Sequence, residues 1–303
     1  MSQTMPPPSA AILREYARKS DAISAAWLAG HLALIAAAGW LVVWARPTAL
    51  AWPAMAALGV AEMALFAPLH ETTHRTVFRS LLANRALGWC AGLVLALPPE
   101  WFRLFHMAHH RHTQDPALDP ELVGGQPHTW RQYAWRLTGL PYWIAEIRLL
   151  TTAAGGNADA PFIPPQRRAA VVAEARCYLA VYAVLIAGSV ALRSDWLLWL
   201  YVFPALLGQP VLRAFLMAEH DALPFVADRR ASTRTTLAGR AVRFLFWNAN
   251  YHAEHHIAAG VPFHALPRLH RRLADDLTAV SPSYAAAHRD IRRAVQAKPS
   301  SAS

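Results

Sequence analysis

The chain has 303 residues, of which 55% are apolar and only 16% charged, the reverse of the balance found in disordered chains. A soluble domain would carry nearer to about a quarter charged residues, so this deficit and the mean hydropathy of +0.19 point to a bilayer. The net charge of +10, from 29 Lys and Arg against 19 Asp and Glu, suits basic loops on one side of a membrane, and no nucleic-acid partner is expected.

Residues 1–23 read as a polar, Pro-rich arm, basic at Arg14, Arg18 and Lys19. The apolar run at 24–45 is longer than the core of a cleaved signal. At 1.5 Å per residue it is long enough to cross the hydrocarbon, which takes roughly 20 residues. A turn at Arg46-Pro47 leads into a second span at 50–69, interrupted only by Glu62, so 24–69 is a transmembrane hairpin. An ionisable group inside a span is costly; Glu62 stands far from the motifs below, and its role stays open. Residues 175–192 and 196–216 give a second hairpin, 175–216, joined by Arg193-Ser194-Asp195.

Between the hairpins, residues 70–174 hold two histidine motifs and two apolar stretches. The stretch at 81–97 is either a fifth span or a short buried or interfacial segment. Crossing there would put the histidines at 70–74 and 106–110 on opposite faces, so the buried segment is preferred. Residues 130–150 mix arginines with Trp and Leu and read as one helix, lying in the interface or belonging to a cap. Residues 217–297 are polar, basic and broken by Pro224, Pro262 and Pro267, with a helical pattern at 267–277. The Ser-rich tail 298–303 is expected to be disordered. Since Lys and Arg avoid the hairpin turns, holding only Arg46 and Arg193 there, both hairpins are expected to insert from the cytoplasm. The architecture predicted is an all-α integral membrane protein: four transmembrane helices carrying a cytoplasmic helical cap. Cys90 and Cys177 match no disulfide framework or iron–sulfur spacing, so any electrons must come from another protein.

The fifteen histidines concentrate in three motifs. HETTH sets His70 and His74 at i, i+4. HMAHH sets His106, His109 and His110 at i, i+3, i+4, and YHAEHH repeats that offset with His252, His255 and His256. On a helix each set shares one face. One such motif proves little, but three on the same side of one membrane chain imply metal binding. Eight imidazoles are too many for one ion, which in a catalytic site takes three or four protein ligands, so two ions are implied. His220 in MAEHDA, where the fourth span should emerge, is a ninth candidate. Asn248, four residues before His252, could reach a metal through water. Imidazole suits several metals. Zinc has no redox chemistry, whereas a di-iron centre can activate O2 against an alkyl C–H bond. The all-nitrogen set differs from the glutamate-rich sites of soluble di-iron bundles.

These motifs resemble the membrane fatty acid desaturase superfamily, with its boxes HxxxH or HxxxxH, HxxHH and HxxHH in this order. WNANYHAEHHIAAGVPFHALPRLH, with MAEHDA and TRTT upstream, is similar to a compact bacterial branch that includes enzymes resembling dihydrorhizobitoxine desaturase. The resemblance implies a cytoplasmic cap holding two irons on the eight box histidines, with His220 matching an extra histidine before the third box. It implies O2 as co-substrate, a hydrophobic acyl substrate and an inner-membrane location with the site on the cytoplasmic side. No fused cytochrome b5 signature is present, so a separate ferredoxin or cytochrome b5-type donor is expected. Acceptors should hold the imidazoles in their tautomers; Asp115, Asp119, Glu219 and Glu254 are the candidates, with His112 beside them, while His264 and His270 are expected to shape the cap. Loss of a second hydrogen would make an alkene and oxygen rebound an alcohol, so a hydroxylase or ketolase on a lipid, carotenoid or amino-acid-derived substrate is the alternative. A membrane metal transporter or a zinc hydrolase is the reading from a different class.

Overall fold

The structure, a computed structural model, describes residues 14–297; the expected disorder of 298–303 and most of the N-terminal arm lie outside them. Helix α1 spans Asp21–Ala45, its start capped by the Ser20 side chain on Ile23 N at 3.3 Å. Its outer face leaves Trp40 and Trp44 63% exposed, as expected where lipid rather than protein is the neighbour. Helix α2, Ala51–Met63, is followed after a short break by α3, Phe66–Thr73. Taken together as Ala51–Thr73 they form the second of four helical stretches, among the described residues, that are long and apolar enough to cross a membrane, the others being Asp21–Ala45, Pro165–Ala191 and Leu198–His220.

The two hairpins meet at both turn and middle. At the turns, Arg46 pairs with Asp195 and lies over Trp196 and Trp199, 4.6 and 5.0 Å from the ring centroids. Midway, a Cβ on Gly59 would come within 1.8 Å of the Pro204 carbonyl oxygen, and one on Gly208 within 2.1 Å of the Gly59 carbonyl carbon. The backbones therefore touch, which only glycine permits.

Helix α4, Leu81–Leu95, and α5, Pro99–His112, are bent by 95° at Ala96–Pro98. The left-handed Ala96 (φ +55°) ends α4, and Pro98-Pro99 starts α5, Pro being tolerated where a helix begins. The carbonyls at the end of α4 find tyrosine hydroxyls: Tyr178, Tyr182, Tyr201 and Tyr142 donate to Trp89, Leu93, Val94 and Leu95 at 2.9, 2.6, 3.0 and 2.5 Å. The Val94 and Leu95 carbonyls are among the last of the helix, which have no intrahelical partner, and these bonds satisfy them; the Leu93 carbonyl also accepts from Ala96 N. The bend returns the chain to the end of α3.

Several boundaries differ from the sequence reading. Residues 130–150 form two helices, α6 Trp130–Leu137 and α7 Leu140–Ala154. They part at Gly139 (φ +72°), where a Cβ would sit 2.4 Å from Gln209 Cγ. The third span, α8, begins at Pro165 rather than 175, because its first three turns carry the polar Gln166, Arg167, Arg168 and Glu174 that hid them from a hydropathy reading. The fourth span opens with a π-turn, Leu198–Val202, and continues as α9, Phe203–His220.

After α9 come α10 Arg229–Ser232, α11 Arg240–Leu245, α12 His252–Ile257, α13 Leu266–Leu273 and α14 Tyr284–Ala297. The helical pattern at 267–277 is thus shorter than read: α13 ends at Leu273, and a 3-10 turn takes Ala274–Asp276. The fold is not purely helical either. Strand β1, Thr235–Thr236, pairs in parallel with β2, Val280–Ser281, and Thr235 also bridges Tyr251 just before α12. Trp247, fully buried, donates its indole N–H to His31 Nδ1 at 3.0 Å, and His31 Nε2 donates to the Ala61 carbonyl at 2.9 Å. That chain of bonds ties α1 and α2 to the segment that leads into α12.

Candidate metal centre

Each histidine motif sits where a helix ends or turns. His70 lies in the last turn of α3 and His74 is its C-cap, the helix being stopped by left-handed Arg75 (φ +59°). His106, His109 and His110 line the last two turns of α5. His252, His255 and His256 make up half of the six-residue α12, and His220 ends α9. The bend between α4 and α5 and the Trp247 anchor are what turn these helix ends towards one another.

All nine histidines named from the sequence come together, in two groups. The ring nitrogens of His70, His74, His106, His110 and His255 all lie within 4.8 Å of one another, as do those of His109, His220, His252 and His256. Nε2 atoms approach pairwise: His74 and His106 at 2.9 Å, His110 and His255 at 3.1 Å, His109 and His256 at 3.3 Å, His220 and His252 at 3.1 Å, His252 and His256 at 3.1 Å. Two ligands about 2.1 Å from one ion at right angles are about 3 Å apart, so these separations suit shared ions. His70 is the sharpest case: neither ring nitrogen has a hydrogen-bond partner although the side chain is buried. An orphaned buried donor set of this kind is expensive unless something binds it.

The electrostatics agree. Burial pushes His74 down to about 3, and burial with crowding by neighbouring imidazoles holds His106, His252, His255 and His256 well below the ordinary range. These rings are neutral at pH 7, with lone pairs free for a cation. His109 is the exception. Burial opposes its protonation, but the carboxylates of Glu121 at 3.6 Å and Asp119 at 2.9 Å outweigh that and raise it.

Of the proposed acceptors, Asp119 and Glu219 reach the histidines. Asp119 takes His109 Nδ1 at 2.9 and 3.0 Å while also accepting Gln114 N and Glu121 N; Glu219 Oε1 is 3.3 Å from His252 Nδ1. The other candidates are engaged elsewhere. Asp115 caps Ala117 N, and Glu254 is held by Thr235 and His270. His112 is half-buried and takes no part in the ring contacts among the histidines. Asn248 (φ +55°) accepts from Arg243 Nε and donates to the Phe263 carbonyl, at 3.1 and 3.2 Å. His264 lies on a surface cavity with Tyr16 and Arg268, and Glu62 is buried inside the second span.

Three contacts were not anticipated from the sequence. Thr113 Oγ1 is 3.2 Å from His256 Nδ1, and the Ser232 carbonyl is 3.1 Å from His220 Nδ1. Buried Glu71 accepts from Thr76 Oγ1 at 2.6 Å and Phe263 N at 3.2 Å, with its other oxygen 4.0 Å from His255 Nδ1. Glu71 could have been suspected, as the acid inside HETTH.

A family model described as fatty acid desaturase matches residues 47–288. The chain is 24% identical to dihydrorhizobitoxine desaturase of Bradyrhizobium elkanii over 269 residues, covering 81% of this chain and 74% of that protein. A shorter similarity, 29% over 102 residues, joins it to sphingolipid delta(4)-desaturase DES1 of Drosophila melanogaster, covering 32% of this chain and 31% of that protein. With its apolar spans and clustered histidines, this chain is an integral membrane oxidoreductase and belongs to the fatty acid desaturase family.

Proposed function

We propose that the protein is an O2-dependent desaturase that introduces a C=C bond into an alkyl chain, using two iron ions held by His70, His74, His106, His110 and His255 on one side and His109, His220, His252 and His256 on the other. The observation that carries this is the convergence of nine mutually facing imidazoles in two groups. Bound iron would supply the O2 chemistry that no side chain here can perform. The chain's own part is to hold the donors rigid, through Asp119, Glu219, Thr113 and Ser232, and to keep the reacting carbon in place, since a misplacement of about 1 Å can cost about a hundredfold in rate.

Two cavities support an amphiphilic substrate. An apolar crevice of 420 Å³ between α7, α8 and the fourth span is lined by Trp143, Ile147, Leu179, Tyr182, Tyr201 and Leu206 and has room for hydrocarbon. A second, of 480 Å³, adjoins Thr72 and Thr73 of the first motif and is ringed by Arg75, Arg85, Arg103 and Arg167. Glu100, paired with Arg103 and Arg167, and Glu174 also line it, and the excess of arginines favours an anionic end group. The two relatives are named for dihydrorhizobitoxine and for a sphingolipid, and a substrate like either one is compatible with these cavities. In this reading the histidines face the cytoplasm of an inner membrane, and a separate ferredoxin or cytochrome b5-type protein delivers electrons. The test is expression in a host lacking the gene, with product profiling in air and under nitrogen. An oxygen-dependent product lighter by two hydrogens supports desaturation; one gaining an oxygen atom supports the hydroxylase or ketolase alternative.

A further inference from the structure

The two histidine groups differ in what stands behind them. In the four-histidine group three rings have a hydrogen-bond partner on the far nitrogen: His109 has Asp119 at 2.9 Å, His256 has Thr113 Oγ1 at 3.2 Å and His220 has the Ser232 carbonyl at 3.1 Å; His252 Nδ1 makes no hydrogen bond, and Glu219 Oε1 stands 3.3 Å from it. Two acidic side chains stand behind this group, Asp119 in a hydrogen bond and Glu219 in near contact. In the five-histidine group, among the described residues, the nearest such contact is Glu71 at 4.0 Å from His255 Nδ1, beyond hydrogen-bond reach, and both His70 nitrogens are unpartnered. The extra imidazole in that group does not make up the difference in kind. An Nδ1–H that donates to a carboxylate makes the ring a more basic and better oriented ligand, whereas an unsupported ring is held only by packing.

We infer that the two metal positions are unequal, and that Asp119 and Glu219, acting through His109 and His252, make the four-histidine position the tighter of the two and the one that favours the more oxidised ion. This rests on the reading of both groups as metal sites. Asp119 is the stronger lever, because it alone of the two hydrogen-bonds its imidazole, and it also ties down the turn at Gln114 and Glu121; Glu219 lies close to His252 without a hydrogen bond. Both are positioning residues.

The test uses full-length protein in detergent micelles, stripped of metal and titrated with cobalt(II), whose ligand-field absorption reports each filling step. Release to a chelator is then followed in time. Wild type is expected to fill and release in two phases. Asp119→Asn is expected to weaken the tight phase by about 10–100-fold, the usual cost of losing such a support, and Glu219→Gln to weaken it by less, with the weak phase unmoved and Glu71→Gln affecting neither phase comparably. Two equal phases in wild type, or equal loosening of both ions in Asp119→Asn, would overturn the inequality while leaving the metal sites standing. Failure of wild type to take up any cobalt would overturn the metal reading itself.

Discussion

His110 and His256 stack face to face, with ring centroids 4.1 Å apart and planes 5° from parallel. His110 belongs to the five-histidine group and His256 to the four-histidine group, so this pair forms the shared wall between the two positions. Among the histidines, the ring of His220, at the far side, contacts only members of its own group. Removing the wall should therefore disturb both ions, and removing His220 only one. The expected outcome is about one iron per chain retained in His220→Ala, well under one in His256→Ala, and loss of activity in both. Iron analysis of inserted, purified protein reads the difference; equal retention in the two variants would contradict the wall.

His255 joins the third motif to the second through His110 at 3.1 Å, and to the first through His70 and His74, with ring centroids 4.5 and 4.6 Å away. His255→Ala is expected to abolish turnover and lower bound iron while leaving the protein in the membrane fraction. Wild-type turnover in that variant would remove it from the ligand set.

Glu146 on α7 is buried, and burial pushes its carboxyl up to about 8, with Arg213 offsetting only part of the effect. The folded chain thus keeps a proton that the unfolded chain, titrating near 4.5, gives up. The resulting stabilisation is complete below about 4.5 and is lost as pH rises towards about 8. In detergent thermal melts, Glu146→Gln should flatten the fall in Tm across that window. An unchanged slope would mean that Glu146 is ionised in the fold.

Gly59 and Gly208 let α2 and α9 touch. Gly59→Ala should destabilise by at least about 1–3 kcal/mol, the usual cost of overpacking. A Cβ on Gly39 would meet nothing within 4 Å, so Gly39→Ala should stay within about 1 kcal/mol. Melting temperatures of the two variants, compared side by side, check the contrast.

Sidedness can be read by labelling. With Cys90 and Cys177 replaced by serine, Thr48→Cys and Ser194→Cys should react with an impermeant maleimide from one face of the membrane. Glu121→Cys and Arg272→Cys should react from the other. Labelling of all four from one face would contradict the hairpin arrangement.

The spans and the histidines were legible in the sequence because both leave local marks: long apolar runs in one case, i, i+3, i+4 spacing in the other. Even His220 was legible, since a histidine ending a span towards the motif-bearing side is unusual. What could not be read is geometry set by distant contacts. The break at Gly139 exists because Gln209 occupies the space a side chain would need. The sharp turn after α4 is held by tyrosines from three other helices. Asn248 and Glu254 had the right residue type and spacing to serve the histidines, yet their partners, Arg243, Phe263, Thr235 and His270, lie on the other side of them. Thr113 and Ser232 support the site with a hydroxyl and a backbone carbonyl, groups so common that composition gives no hint of them.

The account depends most on redox-active metal in the two histidine groups. Elemental analysis of the purified protein while it is turning over substrate tests that directly. Two iron atoms per chain are predicted; full activity in protein that contains only zinc, or no metal, would contradict the account.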